Sequence, residues 1–199
     1  MSFLGATSLV IAVLALGEGG LPGGFLIATN VSNVGASPAA DPILQIDAPG
    51  VSDRWEGIVI HHLGMPAGDA DRVHRLHQSY GYQGLGYHFL IGNGRGLGDG
   101  IIHVGYRWNE QLPGAHVAEI ARDSNTHNRR SVGICLVGNG DRRPFTDRQM
   151  QSLISLVRRL QGALDLAPEA VHLHRDLAPE LTSPGRWFEE ARLREQLLP

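Results

Sequence analysis

The apolar residues of this chain fall in short runs that predict β-strands. The first run, Ile-Val-Ile at residues 58–60, is β-branched and ends abruptly in His61 and His62. Short apolar runs bounded by glycine or polar residues are typical of buried strands. Further strands are predicted at residues 87–91, 101–105, 131–138 and 171–174. Because successive side chains of a strand alternate between its faces, His61 and His62 should point in opposite directions, and at most one should serve a given site.

Helical spacing of apolar residues predicts three helices. Between residues 69 and 80, Val73, Leu76 and Tyr80 lie on one helical face. A Thr-Asp-Arg-Gln capping box at residues 146–149 opens a longer helix that runs to about residue 164. A last amphipathic helix is predicted from about residue 186 to about residue 197.

The order of these elements predicts an α/β fold, with a mixed central β-sheet flanked by helices in a single domain at residues 54–199. The segments at 87–91 and 101–105 are separated by a glycine-rich turn and should form a hairpin. Residues 106–131 show little periodicity, so we expect a long irregular segment that forms the wall of a groove.

The residues that precede this domain differ from it in composition. Residues 3–16 are almost wholly apolar, which fits the hydrophobic region of a secretory signal, although no Lys or Arg precedes them. The run is shorter than the roughly 20 residues of a membrane span. We therefore expect residues 1–17 to be a signal peptide or, alternatively, a retained membrane anchor, and the Gly- and Pro-rich residues 18–53 to be a flexible linker. Either reading predicts an exported protein that is periplasmic, held at the cell envelope or secreted.

Composition and charge narrow the choice of partners. The formal net charge is −3, which does not indicate a nucleic-acid partner. The single cysteine, Cys135, lies inside an apolar strand pattern, so an intramolecular disulfide is excluded and the thiol is expected in the core.

Five motifs, in order, carry a resemblance to a known family. They are IVIHH (58–62), GYHFLI (86–91), GAHV (114–117), NRRSVGICLVG (128–138) and HRDLAPELTSPG (174–185). Together they resemble the zinc amidases that cut peptidoglycan between N-acetylmuramic acid and L-alanine, a family that includes phage lysozyme-type amidases and peptidoglycan recognition proteins. The resemblance covers roughly residues 54–190. It implies a mixed sheet with helices packed on it, zinc as cofactor, peptidoglycan or a muropeptide as partner, and hydrolysis by a zinc-activated water.

The same resemblance implies roles for individual residues. His61 and His174 match two zinc ligands, and both follow predicted strands. Tyr87 matches an active-site tyrosine whose phenol would hydrogen-bond the activated water or the developing oxyanion. His116 and Asn128 match groove-lining positions that would contact substrate; the alternative reading is a pair of polar loop residues at the surface.

The resemblance breaks at the third zinc ligand. The family has Cys or Asp immediately before Pro-Gly, whereas this chain has Ser183, and Leu181 replaces a Lys or Thr that steadies the oxyanion in the family. In peptidoglycan recognition proteins, serine at this position marks members that bind peptidoglycan without cutting it. A non-catalytic peptidoglycan- or muropeptide-binding module is therefore the alternative to a zinc amidase.

A different residue could complete the zinc site instead. His172 lies two residues before His174, and two residues that far apart on one strand face the same way, so both could bind one metal ion. Asp176 and Glu180 are further candidates. The other reading of His172 is a histidine buried beneath a helix.

Overall fold

The computed structural model describes residues 51, 53–117 and 123–199. Its strands are β1 (Gly57–His62), β2 (Phe89–Ile91), β3 (Ile102–Val104), β4 (Ser131–Leu136) and β5 (Val171–Leu173). Its α-helices are α1 (Ala70–Ser79), α2 (Tyr106–Asn109), α3 (Ser124–Arg130), α4 (Asp147–Leu164) and α5 (Glu190–Arg194). The strands form one sheet in the order β3-β2-β4-β1-β5, in which only the β2–β3 pair is antiparallel among the described residues. The predicted mixed α/β fold is confirmed.

The alternation of β1 sorts its side chains between the two faces of the sheet. Ile58 and Ile60 are fully buried in the main core together with the apolar face of α4. Val59 points to the opposite face, where it packs with Val117 and Ala178. His61 has the same parity as Val59 and therefore shares that second face.

Helix α4 forms where its capping box predicts. The Thr146 side chain accepts a hydrogen bond from the Gln149 backbone N–H at 3.1 Å, and the Gln149 side chain bonds back to the Thr146 backbone. The buried Gln149 amide also donates to the carbonyls of Ile91 (3.1 Å) and Val137 (2.8 Å). The start of α4 is thereby fixed to the carboxyl ends of β2 and β4, the edge at which the first histidines leave the sheet.

Two segments differ from the prediction. Residues 106–131 contain two short helices, α2 and α3, rather than one irregular segment. The last helix is shorter than expected because the backbone at residues 187–188 makes other hydrogen bonds: Trp187 N–H donates to the distant Gly140 carbonyl, and Phe188 N–H closes a turn on the Gly185 carbonyl three residues earlier.

The predicted front of the chain is mostly beyond the described part. The signal peptide or anchor at 1–17 lies outside the described residues, as does the linker at 18–53 apart from Val51 and Asp53. Val51 is partly buried against the main core. None of the helices in the described ranges has the length and apolar content that crossing a membrane requires.

Candidate active site

Two histidines meet at the carboxyl edge of the sheet. His61 is the fifth residue of β1, and His174 directly follows the last residue of the neighbouring strand β5. The centroids of the two imidazole rings are 4.3 Å apart, so both rings lie on the same side of the sheet. We call His61 and His174 the histidine pair. Parallel strands place their carboxyl ends at one edge, which brings together two residues more than a hundred positions apart in the chain.

His174 has the environment of an unsatisfied ligand. Strand β5 ends at Leu173, and His174 begins a 3₁₀ turn that extends to Asp176. Both ring nitrogens of His174 are buried, and neither has a hydrogen-bond partner within the described part of the chain. Burial, with a smaller contribution from His62, lowers the pKa of His174 to about 4. The ring is therefore neutral at neutral pH, with one bare nitrogen, and such a buried group without a partner is costly unless something binds it.

His61 is bonded through one nitrogen only. Its Nε2 lies 3.0 Å from Nδ1 of His116. Its Nδ1 makes no hydrogen bond to any residue that the structure describes. Burial, followed by the neighbouring His116 and His174, holds the pKa of His61 well below its ordinary value. The histidine pair thus offers two neutral imidazoles, the protonation state in which histidine binds a metal ion.

Ser183 is tied to the residues that follow each member of the histidine pair. Its Oγ accepts a hydrogen bond from the His62 backbone N–H at 2.8 Å, and its carbonyl accepts from the Arg175 N–H at 2.7 Å. Ser183 is buried. The residues fit a metal ion with two nitrogen donors, but the third position offers a neutral hydroxyl that already accepts one hydrogen bond, and zinc prefers a thiolate, imidazole or carboxylate there.

Tyr87 lies beside His61. Its ring centroid is 5.3 Å from that of His61 and 5.4 Å from that of His77. Burial, followed by the adjacent Cys135 thiol, raises the pKa of Tyr87 well above its ordinary value. The phenol therefore keeps its proton at neutral pH and acts as a hydrogen-bond donor.

Sequence reasoning missed the residues that hold Tyr87 in place. His77 Nδ1 accepts from the Gly86 backbone N–H at 2.9 Å, and His74 Nδ1 accepts from the Leu85 N–H at 3.3 Å. The two histidines lie three apart and so share one face of α1. Their spacing is visible in the sequence, but their partners are backbone groups of the loop that precedes Tyr87, which no side-chain motif reveals.

His116 and Asn128 are hydrogen-bonded to other groups of the protein. His116 is only 7% exposed, and its Nε2 lies 3.1 Å from the Ser131 carbonyl. Asn128 Oδ1 accepts from the backbone N–H groups of His116 (2.8 Å) and Val117 (3.0 Å), and its Nδ2 donates to Val117 O at 2.8 Å. Both side chains are therefore engaged in the protein's own hydrogen-bond network, and a contact of either with substrate stays a prediction.

His172 and Asp176 contact groups other than the histidine pair. His172 pairs with Val59 and so points to the face of the sheet that carries His61 and His174, as predicted, and its ring lies 5.6 Å from that of His127 between centroids. Asp176 Oδ2 accepts from the Leu173 N–H at 3.0 Å and lies 3.8 Å from Arg194. Among the described residues, no group of three or more His, Cys, Asp or Glu side chains could hold a metal ion.

A polar cavity of about 680 Å³ begins beside the 3₁₀ turn that carries His174. Its walls come from that turn and the segment after it, and from α3 with its N-terminal flank. The lining residues are Asp123, His127, Arg175, Asp176, Leu177, Ala178, Pro179 and Glu180. Glu180 is exposed here. The cavity is large enough for a small-molecule or peptide ligand.

Comparison with known proteins agrees with this arrangement. The model of the Amidase_2 family, described as N-acetylmuramoyl-L-alanine amidase, matches residues 52–186. The chain belongs to this family. It is 30% identical over 129 residues to the endolysin of Escherichia phage T7, an alignment that covers 61% of this chain and 75% of the endolysin. It is 32% identical over 133 residues to the endolysin of Klebsiella phage KP32, with the same coverage of 61% and 75%.

Solved structures extend the likeness to the fold. The endolysin N-acetylmuramoyl-L-alanine amidase LysCS from Clostridium intestinale URNW superposes with a TM-score of 0.60 at 27% identity, covering 73% of this chain and 86% of that one. The ectodomain complex of the peptidoglycan recognition proteins PGRP-LCa and PGRP-LCx, solved with tracheal cytotoxin, superposes with a TM-score of 0.54 at 23% identity, covering 69% and 80%. At that identity the second likeness concerns the fold alone.

Proposed function

We propose that this protein is a peptidoglycan amidase that hydrolyses the amide bond between N-acetylmuramic acid and L-alanine, and that it takes zinc at the histidine pair. Membership of the amidase family supports the reaction class. The observation that carries the metal site is His174, whose two ring nitrogens are buried without a partner in the described residues, 4.3 Å from the His61 ring between centroids.

In this proposal His61 and His174 supply two neutral imidazole nitrogens, and the Ser183 hydroxyl stands at the third position. A zinc ion held there would polarise the scissile carbonyl and lower the pKa of water to about 7. Tyr87 keeps its phenolic proton because burial raises its pKa, so it donates a hydrogen bond to the oxygen on which negative charge develops. The rings of His61 and His77 lie 5.3 Å and 5.4 Å from that of Tyr87, between centroids, and support its position beside the histidine pair.

The test is muropeptide cleavage by the purified full chain, with release of the stem peptide followed by mass spectrometry and zinc content measured in parallel. We expect cleavage that a chelator abolishes and zinc restores. His174→Ala should lose both zinc and cleavage. Tyr87→Phe should keep zinc but cleave about 10²- to 10³-fold more slowly, the usual effect of removing one oxyanion donor. Cleavage that survives in His174→Ala at the wild-type rate would refute the metal role of the histidine pair.

Ser183 favours a second candidate, a module that binds muropeptide without cutting it. Its hydroxyl is a poor zinc donor and is already engaged by the His62 N–H at 2.8 Å. In that case the wild type should bind muropeptide in a calorimetric titration but release no stem peptide at any zinc concentration. Cleavage by the wild type would exclude this candidate.

The proposed substrate also bears on location. Peptidoglycan lies outside the cytoplasmic membrane, so we propose that the protein acts in the periplasm, at the cell envelope or in the medium, with residues 1–17 as signal peptide or anchor. Sequencing the N-terminus of the protein recovered from cells distinguishes the two, because a cleaved signal leaves a chain that starts near residue 18 and an anchor leaves the apolar run in place.

A further inference from the structure

A chain of hydrogen bonds determines which nitrogen of His61 carries its proton. It starts at the Ser131 carbonyl, which can only accept, so His116 Nε2 at 3.1 Å must carry a hydrogen and donate it. In a neutral His116 the other nitrogen, Nδ1, is then bare and accepts. His61 Nε2, 3.0 Å away, must therefore carry the hydrogen that His116 accepts.

The hydrogen on Nε2 of His61 determines the state of the other ring nitrogen, Nδ1. When Nε2 carries the hydrogen of a neutral imidazole, Nδ1 has a free lone pair. Nδ1 of His61 makes no hydrogen bond to the described residues, and the His61 ring lies against that of His174. The His116 side chain is buried, and burial favours the neutral imidazole that the chain of bonds requires.

The His116 ring is held rigidly enough to act in this way. A Cβ atom on Gly133 would lie 2.4 Å from His116 Cδ2, and one on Gly114 would lie 2.2 Å from the same atom. The two glycines therefore leave the space that the ring fills. The His116 backbone N–H is fixed in addition by Asn128 Oδ1 at 2.8 Å.

We propose that His116 is a positioning residue, which fixes the tautomer and ring orientation of His61 so that Nδ1 of His61 is the nitrogen presented to the metal. This role rests on the metal site of the proposed function. It replaces the substrate contact that the sequence suggested for His116, because both ring nitrogens of His116 are committed to other groups and the side chain is buried. Partners of this kind orient metal-binding histidines and change metal affinity when they are lost.

The experiment has one readout that needs no metal. In ¹⁵N-labelled, metal-free full-length protein, the imidazole nitrogen shifts of His61 report its tautomer. We expect the Nε2–H tautomer in the wild type. The Nδ1–H tautomer in the wild type would overturn the proposal without any variant, whether or not the protein binds zinc or cleaves muropeptide.

Two variants give the second readout, zinc affinity measured by competition with a chelator of known affinity. His116→Phe keeps a ring in the space but removes both hydrogen bonds, so His61 should populate both tautomers and zinc should bind about 10- to 100-fold more weakly. His116→Gln can still accept from His61 and donate to the Ser131 carbonyl, so it should restore most of the affinity and the Nε2–H tautomer.

A matched control comes from the same cluster of rings. His88 is equally buried and its ring lies 5.7 Å from that of His116, but it bonds to the backbone of Gly133 and Leu112 rather than to His61. His88→Gln should leave both the His61 tautomer and zinc affinity at wild-type values. Equal loss of zinc affinity in His88→Gln and His116→Phe would reduce His116 to a packing role and overturn the proposal. Failure of the wild type to bind zinc would instead count against the proposed function, while the tautomer measurement still decides the role of His116.

Discussion

Ser183→Cys is the substitution that tests the third position of the metal site most directly. The Ser183 side chain is buried, and its carbonyl is fixed by the Arg175 N–H at 2.7 Å. Cysteine differs from serine by one atom, so the backbone that places residue 183 beside the histidine pair should be kept. A thiolate at this point would supply the negative charge and soft donor that the hydroxyl lacks.

The magnitude follows from two opposing contributions. Four-ligand zinc sites stabilise by about 10–16 kcal/mol, so one ligand contributes on average about 3 kcal/mol. The substitution weakens the bond from the His62 N–H to Oγ, now 2.8 Å, and a neutral hydrogen bond of this kind is worth about 1 kcal/mol. The difference of about 2 kcal/mol corresponds to zinc binding that is about 30-fold tighter. A cysteine thiol ordinarily titrates near about pH 8.5, so the gain should be larger at pH 8 than at pH 6.

The assay is zinc titration of the full chain against a competing chelator at both pH values. Thr182→Cys serves as the control. Thr182 is exposed and neighbours Ser183, and its hydroxyl donates to Asp141, so a thiol at this position should point toward Asp141 rather than toward the histidine pair. Ser183→Ala should weaken zinc binding if the hydroxyl is a ligand. Equal zinc affinities for the wild type, Ser183→Cys and Ser183→Ala would show that residue 183 is no part of the site and would refute the reasoning.

Two further predictions concern groups around the site. Asn128→Ala should lower the free energy of unfolding by about 1–3 kcal/mol in chemical denaturation, because it leaves backbone groups of His116 and Val117 without their hydrogen-bond partner. Unchanged stability together with weakened muropeptide binding would instead indicate that Asn128 contacts the substrate. Burial lowers the pKa of His88 to about 4, below the value of about 6.5 expected in the unfolded chain. The unfolded chain therefore takes up the proton first, and the free energy of unfolding should fall by up to about 3 kcal/mol as the pH drops from about 6.5 to about 4. His88→Gln should flatten that part of the stability profile between pH 7 and pH 4.5, and an unchanged profile would assign the acid sensitivity to other groups.

The elements that the sequence predicts correctly are those with an unambiguous local pattern. Helix α4 has a capping box at its start and an apolar residue on each turn, so both of its ends are read closely from the sequence. Helix α3 has neither: its residues are polar and none is buried. Its carboxyl-terminal half is fixed by other parts of the fold, since the Asn128 carbonyl accepts from the Gly114 N–H and the Arg130 carbonyl from the Glu56 N–H. Such contacts are invisible to periodicity.

The candidate site also has features that can be predicted from the sequence and features that cannot. The convergence of His61 and His174 can be predicted because each ends a strand and parallel strands share an edge. The role proposed for His116 cannot, because its contacts with His61 and the Ser131 carbonyl depend on the close approach of Gly114 and Gly133 to its ring. The direction of His172 can also be predicted from alternation, because it pairs with Val59 and shares its face of the sheet, whereas the contact of its ring with that of His127, 5.6 Å away between centroids, depends on where α3 packs.

The adjacent histidines at the end of β1 point to opposite faces of the sheet and contact different groups. His61 points to the face of Tyr87 and the histidine pair. His62 faces the other way, where its Nδ1 lies 2.9 Å from the Pro184 carbonyl oxygen and 3.1 Å from the Gly140 backbone nitrogen, while its backbone N–H donates to Ser183 Oγ. One short strand end thus carries an imidazole that we propose binds the metal and, one residue later, contacts the segment that contains Ser183. A change at His62 should therefore act on the metal site through residue 183, and its effect on zinc affinity should disappear in a background where Ser183 is already Ala.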